Sequence, residues 1–283
     1  MLYIIVPVHN RKDTTLKFIQ SLQEQSFKDY RLIVVDDGST DGTKSIIYGK
    51  YPETVILDGN GSLFWGGGIN LGLEYVERLV NESDYIAFAN NDILFESDTI
   101  MNIMYYAQKE KAVFHSLVIK ADNQIISSGA KLINWPLFIT KHPLRGKSLN
   151  EISADKILVD LMTARFVIFS SLVLDSYNRI DTNNFPHYIG DNDFSMSLSK
   201  KGIPTYIITS SHCLVDINTT GENPQKLKSF KAIWKSLYSI RSTNNLKYRY
   251  HFGKKHCPKL YLPIYLFSMI LQVILLNLIR KRI

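Results

Sequence analysis

Short apolar runs separated by amphipathic stretches recur along the first part of the chain. Residues 2–8, 31–35 and 85–89 are such runs, and each is followed by polar residues. Runs of this kind are typical of strands buried on both faces of a sheet. Between the first two runs, apolar residues recur at the spacing of one helix face: Leu16, Ile19 and Leu22. Strands that alternate with helices predict right-handed crossovers and a mainly parallel sheet covered on both faces, an α/β fold.

The pattern continues less regularly to about residue 220. Further predicted elements are helices at 43–51 and up to about residue 80, strands at 55–57 and 205–209, shorter strands within 113–170, and a helix at 191–201. The polar stretch at residues 221–224 predicts a boundary. We therefore expect one domain over residues 1–225 and a helical C-terminal region over residues 226–283.

Composition and charge narrow the class of protein. Hydrophobic residues make up 45% of the chain and charged residues 21%, which is ordinary for a globular protein. Two cysteines are too few for a disulfide framework and favour a reducing compartment, and the N-terminus does not resemble a secretory signal. The net charge of +7 is unevenly placed, because residues 226–283 contain thirteen Lys and Arg and no acid. Residues 1–225 hold the other 20 basic residues against 26 acidic ones, a net charge of −6.

The basic C-terminal region also contains a long apolar run. Residues 260–279 carry no charge and are followed by Arg280-Lys281-Arg282. A basic region suggests a polyanionic partner, and the apolar run favours an anionic membrane surface over nucleic acid. About 20 apolar residues are just enough to cross a bilayer, but Pro263, Gln272 and Asn277 weaken a spanning helix. The sequence leaves three arrangements open: a helix that spans the membrane, one that lies on it, or one that docks on the body.

Carboxylates follow several of the predicted strands. Asp36-Asp37 and Asp41 come after the second strand, and Asp92 comes after the strand at residues 85–89. Ligands of open parallel sheets bind beyond the carboxyl ends of the strands. Carboxylates there suit ribose hydroxyls, base N–H groups and divalent cations, and a diphosphate would need a cation between it and the carboxylates. The arrangement favours a nucleotide diphosphate substrate with a bound metal ion.

Several segments, in this order, resemble the family 2 inverting glycosyltransferases of GT-A fold. The segments Val6-Pro7-Val8-His9-Asn10 and Val34-Val35-Asp36-Asp37-Gly38-Ser39-Thr40-Asp41 are similar to the beginning of that family. Residues 59–72 resemble the glycine- and asparagine-rich segment of its rhamnosyltransferase-like branch. Asn90-Asn91-Asp92 stands at the place of the Asp-x-Asp metal motif, Gly190-Asp191-Asn192-Asp193-Phe194 resembles the Glu-Asp-x-Asp segment, and Ser211-His212 resembles a histidine that completes the metal shell.

The resemblance implies roles for individual residues. It makes Asp191 the catalytic base, with Asp193 supporting it structurally, and makes Asp92 and His212 ligands of Mg²⁺ or Mn²⁺. The residues it places at the nucleotide and donor are Pro7, His9, Asn10, Asp36, Asp37, Asp41, Gly67, Asn70, Asn90 and Asn91. Two residues depart from the family pattern: Asn90 stands where a carboxylate is usual, and Gly190 stands where a glutamate is usual.

The implied activity is the transfer of a hexose or deoxyhexose, with inversion, from a nucleotide diphosphate sugar. The acceptor would be a hydroxyl of a glycan, lipid-linked and held at the cytoplasmic side of the cell membrane, in the synthesis of a surface polysaccharide such as lipopolysaccharide or capsule. An inverting transfer requires one carboxylate on the acceptor side, because the attacking hydroxyl must lose its proton as it reaches the anomeric carbon.

Each of these residues also has a structural interpretation. Asp36, Asp37 and Asp41 are residue types that favour turns and helix starts, and Asp191 and Asp193 suit the first turn of a helix. His212 could be a polar residue at a strand end, and the glycines at 66–68 a turn before a helix. Asn90 and Gly190 motivate an alternative function, a non-catalytic nucleotide-sugar-binding protein. A dinucleotide-dependent dehydrogenase is disfavoured because the G-x-G-x-x-G fingerprint is absent.

Overall fold

The computed structural model describes residues 1–127, 129–177, 179–215, 234–242 and 244–279. The helices are α1 (Lys12–Gln23), α2 (Thr43–Lys50), α3 (Phe64–Val76), α4 (Thr99–Ala107), α5 (Gly190–Ser199), α6 (Leu246–His256) and α7 (Leu262–Ile279). The strands are β1 (Leu2–Val8), β2 (Tyr30–Asp36), β3 (Val55–Asp58), β4 (Tyr85–Ala89), β5 (Ile93–Phe95), β6 (Val113–Ile119), β7 (Ile125–Ser127), β8 (Lys131–Asn134), β9 (Ile139–Lys141), β10 (Lys156–Val159), β11 (Phe166–Ser170) and β12 (Thr205–Val215). Short 3₁₀ turns lie at Leu149–Glu151 and Ser171–Val173.

One large sheet organises the chain, in the order β10-β12-β6-β11-β4-β1-β2-β3. The pairs β4–β1, β1–β2, β2–β3 and β6–β12 are parallel, which confirms the predicted α/β class. The strand β11 is antiparallel to both its neighbours, β4 and β6. Its amino end therefore lies at the same edge of the sheet as the carboxyl ends of β4, β1 and β2. Two short strands, β8 and β9, form a separate hairpin.

Strand β1 lies between two layers of helices, so both of its faces are buried. Its even-numbered residues pack in a buried cluster with α1 and α4, and its odd-numbered residues Tyr3 and Ile5 pack in another with α3 and α5. Neighbouring side chains on a strand point to opposite faces, so a strand between two helical layers is apolar at nearly every position. This burial accounts for the uninterrupted apolar run at the start of the sequence.

Helix α3 lies unusually close to β1. A Cβ atom on Gly72 would overlap the side chain of Ile5, and one on Gly68 would lie 2.7 Å from the Cβ of Pro7. Glycine at these two positions therefore permits the close approach of helix and strand. The contact with Gly68 also gives Pro7, one of the predicted donor-binding residues, a packing role.

The last two helices pack on the body of the protein. Phe252 of α6 and Tyr265 of α7 form an aromatic cluster with Trp135 and Phe138 beside the β8–β9 hairpin. The predicted boundary at residue 225 lies outside the described residues. Within the part of the chain that the structure describes, none of the helices has both the length and the apolar character needed to cross a membrane.

We expect Gly72→Ala to destabilise the protein by about 1–3 kcal/mol, because the added methyl group overpacks the contact with Ile5. The matched control is Gly49→Ala in α2, where no atom lies within 4 Å of the new Cβ. The control should gain about 0.5–1 kcal/mol from its higher helix propensity. The midpoints of urea unfolding measure both changes, and a Gly72→Ala protein at least as stable as the parent would contradict the close packing.

Candidate functional site

The loops that carry most of the predicted donor residues meet at one edge of the sheet. The loops that follow β1, β2 and β4 lie side by side there, because these three strands are parallel neighbours. The backbone N–H of Asn90 donates to the carbonyl of Arg165 at 2.8 Å, which joins the segment preceding β11 to the same edge. The structure thus brings together segments that are as much as 150 residues apart in the sequence.

The carboxylate of Asp37 shapes the loop between β3 and α3. It is buried and accepts hydrogen bonds from the backbone N–H groups of Gly61 at 2.8 Å, Leu63 at 2.9 Å and Phe64 at 3.1 Å. Asp36, also buried, accepts from the N–H of Ser39 at 3.0 Å. Both side chains therefore make the contacts that their structural interpretation requires. The predicted contact with a nucleotide stays a prediction for both.

His9 and Asn10 tie the loop after β1 to the loop after β2. The Nδ1–H of His9 donates to the carbonyl of Asp37 at 2.7 Å, and the Nδ2 of Asn10 donates to the Nε2 of His9 at 3.2 Å. The Oδ1 of Asn10 accepts from the N–H of Thr40 at 2.8 Å, and its own N–H donates to Ser39 Oγ at 2.9 Å. Asn10 has a φ of 50°, in the left-handed region that asparagine tolerates. This network orders the edge of the site.

Asp41 joins the beginnings of α1 and α2. Its carboxylate accepts from the backbone N–H of Lys12 at 2.9 Å and from the N–H and hydroxyl of Thr43 at 3.0 and 2.5 Å. Slight burial acts to raise the pKa of Asp41, but the hydrogen bonds from Thr43 and Lys12 outweigh it and lower that pKa. These contacts match the structural interpretation of Asp41 at a helix start.

Two further predicted donor residues lie in α3. The N–H of Gly67 donates to the carbonyl of Leu63 at 3.0 Å within the first turn of the helix. Asn70 bonds both backbone groups of Ile180, its Nδ2 donating to the carbonyl at 2.8 Å and its Oδ1 accepting from the N–H at 2.7 Å. Asn70 therefore holds the segment that leads toward α5.

The segment Asn90-Asn91-Asp92 places its three side chains differently. The Oδ1 of Asn90 accepts from the indole N–H of Trp65 at 3.1 Å. Asn91 is buried and donates to the Oγ1 of Thr15 at 2.8 Å, so it points into α1. Of the three, only Asp92 contributes a carboxylate to the edge of the sheet.

Two arginines hold Asp92. Its Oδ1 lies 3.2 Å from the Nη1 of Arg165, and its Oδ2 lies 3.7 Å from the Nη1 of Arg11, while only 8% of its side chain is exposed. Sequence analysis missed both arginines as site residues. Their positions were nevertheless informative, since Arg11 directly follows His9-Asn10 and Arg165 directly precedes β11. The site therefore contains more positive charge than its carboxylates suggest.

His212 lies away from Asp92. Its Nε2 bonds the carbonyl of Thr209 at 2.7 Å, and its Nδ1 lies 2.9 Å from the Oε2 of Glu96. The pairing of β12 with β5 sets His212 beside Glu96, at the end of β5 opposite to Asp92. Four residues of extended strand separate these ends by about 13 Å. The structure therefore does not bring the two predicted metal ligands together, and both ring nitrogens of His212 bond other residues, Thr209 and Glu96.

Asp191 lies in the first turn of α5. Its Oδ1 accepts from the N–H of Asn192 at 2.8 Å, and its Oδ2 lies 3.4 Å from the N–H of Ala164, next to Arg165. Burial raises the pKa of Asp191, although these backbone hydrogen bonds oppose the shift. A raised pKa makes the ionised carboxylate a stronger base. The preceding Ile189 has a φ of 71°, a left-handed conformation that costs a residue other than glycine about 1–3 kcal/mol.

A histidine without any motif also lies near this edge. The Nδ1 of His187 is buried and has no hydrogen-bond partner among the described residues. Burial, together with the charges of Arg241 and Arg11, lowers the pKa of His187 to about 4. Its ring contacts that of Phe64, at a centroid distance of 5.7 Å. The arginines and the neutral histidine leave this side of the site suited to anionic groups.

The donor set at Asp92 is compatible with Mg²⁺ or Mn²⁺. Within the described ranges, no group of three His, Cys, Asp or Glu side chains converges to hold a cation. Mg²⁺ in nucleotide sites, however, commonly takes one or two carboxylates and completes its shell with phosphate oxygens and water. One carboxylate, Asp92, therefore fits a cation that arrives with a diphosphate.

Comparison with known proteins gives consistent results for sequence and fold. A model of the family described as Glycosyl transferase family 2 matches residues 3–172. The chain is 25% identical over 225 residues to the rhamnosyltransferase WbbL of Escherichia coli K12, a match that covers 76% of this chain and 83% of WbbL. It is 30% identical over 129 residues to the GalNAc(5)-diNAcBac-PP-undecaprenol beta-1,3-glucosyltransferase of Campylobacter jejuni, which covers 44% of this chain and 40% of that protein.

The fold is similar to that of a solved mannosyltransferase. The mannosyltransferase is PcManGT from Pyrobaculum calidifontis, solved in complex with GDP-Man and Mn²⁺. Its superposition on our structure gives a TM-score of 0.56 with 12% sequence identity and covers 94% of our chain and 69% of PcManGT. The fold is therefore GT-A, as the resemblance predicted. The family match covers more than half of the chain and begins within β1. The chain belongs to glycosyl transferase family 2.

Proposed function

We propose that this protein transfers a hexose or deoxyhexose, with inversion, from a nucleotide diphosphate sugar to a hydroxyl of a lipid-linked glycan during surface polysaccharide synthesis. The observation that carries the proposal is the presence at one sheet edge of Asp191, whose pKa burial raises, and of Asp92 with its two arginines. A base and a set of groups suited to a diphosphate are the two requirements of the reaction. Similarity to WbbL and to a glucosyltransferase named for an undecaprenol-linked glycan supports the choice of substrates.

In this mechanism Asp191 acts on the acceptor side. Its carboxylate takes the proton of the attacking hydroxyl while the hydroxyl oxygen forms a bond to the anomeric carbon. The bond from that carbon to the diphosphate oxygen breaks at the same time, and the nucleoside diphosphate leaves with the electron pair. The attack comes from the face opposite the leaving group, so the configuration inverts without a covalent intermediate on the protein.

The donor side of the proposal rests on the loops after β1 and β2. The network of His9 and Asn10 and the buried Asp36 and Asp37 would shape the edge that receives the nucleotide. Arg11 and Arg165 would pair with the diphosphate and offset the charge that develops on it as it leaves. Asp92 would hold Mg²⁺ or Mn²⁺, which when bound adds further positive charge beside the diphosphate.

The C-terminal region supports a further part of the proposal, contact with an anionic membrane surface on the cytoplasmic side. Four apolar residues beginning just before α7 are spaced along one helix face and are exposed: Leu260 by 80%, Ile264 by 51%, Phe267 by 68% and Leu271 by 40%. On the opposite face Tyr265 and Met269 are buried against the body. Helix α7 thus docks on the protein and also presents an apolar stripe, beside the exposed Lys254 and Lys259.

We expect Asp191→Asn to lower kcat by at least about 100-fold, because the amide cannot accept the proton of the hydroxyl. Binding of the nucleotide sugar should stay within about twofold of the parent, since Asp191 acts on the acceptor. Release of nucleoside diphosphate in the presence of lipid-linked glycans measures the first quantity, and calorimetric titration with UDP-, dTDP- and GDP-sugars measures the second. The control is Asp175→Asn, an exposed acid in a different part of the fold. Turnover near the parent rate would refute the assignment of the base, and donor binding without turnover in the parent would favour the non-catalytic alternative.

The nucleoside diphosphate that binds best should bind at least about tenfold more tightly with Mn²⁺ than without it. In Asp92→Asn this gain should disappear, because the neutral amide is a poor ligand for the cation. Calorimetric titration with and without Mn²⁺ measures the gain, and the exposed Asp98→Asn serves as the control. A full Mn²⁺ effect in Asp92→Asn would show that the cation binds elsewhere.

The apolar stripe should govern membrane contact. Replacing Ile264 and Phe267 together by Asp should reduce flotation with phosphatidylglycerol-containing vesicles at least about tenfold. The two apolar side chains that would enter the lipid are lost, and the acidic ones that replace them are repelled by the anionic headgroups. The control adds the same charge to exposed apolar residues elsewhere, Tyr48→Asp with Ile133→Asp. Equal flotation of the parent and the stripe variant, or loss of flotation in the control alone, would remove this part of the proposal.

A further inference from the structure

Asp193 is a second acid of α5, but it faces away from the site. It lies two residues after Asp191, and because each residue of an α-helix turns by about 100°, the two side chains leave the helix on nearly opposite sides. Asp193 is 0% exposed and belongs to none of the groups at the sheet edge. Its surroundings identify what it does.

Three side chains satisfy the buried carboxylate. Its Oδ1 accepts from the Nε2–H of His256 at 2.7 Å, and its Oδ2 accepts from the Nζ of Lys255 at 2.8 Å and from the hydroxyl of Tyr177 at 2.6 Å. Burial acts to raise the pKa of Asp193, but the hydrogen bonds from His256, Lys255 and Tyr177 outweigh it and lower that pKa. Burial lowers the pKa of His256. The hydrogen bond to Asp193 opposes this shift, and the Nε2–H of His256 donates to Asp193.

Two of these partners come from the C-terminal end of α6, more than 60 residues further along the chain. A third bond joins the same elements, from the Nζ of Lys200 to the carbonyl of Lys255 at 2.7 Å. A buried carboxylate that loses its partners is strongly unfavourable, so α5 in this position depends on α6. We call Asp193, Lys255 and His256 the α5–α6 clamp.

Helix α6 packs directly against α7. A Cβ atom on Gly253 would overlap the ring of Tyr265, so the two helices pack in direct contact there. The hydroxyl of Tyr265 donates to the carbonyl of Arg249 at 2.9 Å, and Ser268 of α7 donates to the carbonyl of Pro136 at 2.7 Å. The clamp residues of α6 therefore belong to a helix that packs on α7, and α7 in turn bonds the segment between β8 and β9.

The clamp closes the turn that carries Asp191. The backbone N–H of Asp193 donates to the carbonyl of Ile189 at 2.8 Å, while its side chain is bound to α6. Ile189 is the residue with a φ of 71°, a conformation that persists only where the surroundings enforce it. Asp193 is thus bonded through its backbone to Ile189, at the start of α5, and through its side chain to α6. Asp191 lies between Ile189 and Asp193 in the sequence.

We propose that the α5–α6 clamp positions Asp191, so that Lys255 and His256 are positioning residues for the transfer reaction. The inference rests on the proposed role of Asp191 as the base. It gives the C-terminal region a part in catalysis that is separate from membrane contact. A water-soluble acceptor should therefore need α6 as much as a lipid-linked one does.

The test compares full-length variants of the two α6 residues. Lys255→Met and His256→Leu should each lower kcat at least about tenfold with the KM for the nucleotide sugar changed less than about twofold, because a misplaced base slows the chemical step without weakening donor binding. Lys255→Arg and His256→Gln keep an N–H donor for Asp193 and should restore kcat to within about threefold of the parent. Lys247→Met changes an exposed lysine of the same helix outside the clamp in the same way and should behave as the parent.

The outcomes separate this inference from the proposed function. Parent-like turnover in Asp191→Asn overturns the role of the base and the inference with it. If Asp191→Asn is inactive while Lys255→Met keeps kcat within about twofold, the clamp does not position the base and only the inference fails. If His256→Leu does not fold, as judged by circular dichroism, the partly exposed Lys255→Met decides the question. Equal losses in Lys255→Met and Lys255→Arg would overturn it as well, because the conservative variant retains the bond that the proposal requires.

Discussion

Parallel pairing of β4, β1 and β2 decides where the candidate site forms. Since the three strands run in one direction, every loop that follows them opens at the same edge, and the edge can hold a ligand only if those loops are ordered. The sequence supplies that order with its own polar groups. Asp37 ties down the loop before α3, and Asn10 with His9 joins the loops after β1 and β2. Many residues that the family pattern associates with the donor therefore first serve to build its binding edge.

Two arginines offset the negative charge of the carboxylate at this edge. Asp92 without a partner would repel a diphosphate, but Arg165 and Arg11 flank it and make the group as a whole cationic. A diphosphate entering the edge would meet two guanidinium groups that are already positioned by a carboxylate. Asp92 would hold a divalent cation brought with the diphosphate, and Arg11 and Arg165 would pair with the phosphates. The same residues can thus be satisfied with and without a donor.

The sequence predicted what depends on local patterns and missed what depends on distant pairing. The apolar runs of β1, β2 and β4 and the polar residues after them are local features, so the α/β class and the edge that carries Asp36 and Asp92 followed from them. The antiparallel direction of β11 has no local signal, because a short buried strand looks the same in either direction. Arg165 reaches the edge only through that direction, and His212 is kept from Asp92 only by the pairing of β12 with β5. Side-chain amides were equally ambiguous: Asn70 and Asn91 are bonded within the protein, which no spacing could indicate.

Two of the three arrangements that the sequence left open for the C-terminal helix, lying on a membrane and docking on the body, are not mutually exclusive. A helix that only docks on a protein is expected to be polar on its outer face, and one that only lies on a membrane is expected to be polar on the face turned from the lipid. Helix α7 is apolar on both, with Tyr265 buried and Phe267 exposed two residues later. A helix that lies between a protein and a lipid surface needs apolar residues on both sides, so its sequence shows no amphipathic period. Because α7 supports α6, and α6 holds Asp193, the exposed apolar stripe and the helix that carries Asp191 belong to one packed unit. The distance from the proposed membrane surface to the carboxylate of Asp191 is then set by side-chain packing, which suits an acceptor that is itself anchored in the lipid.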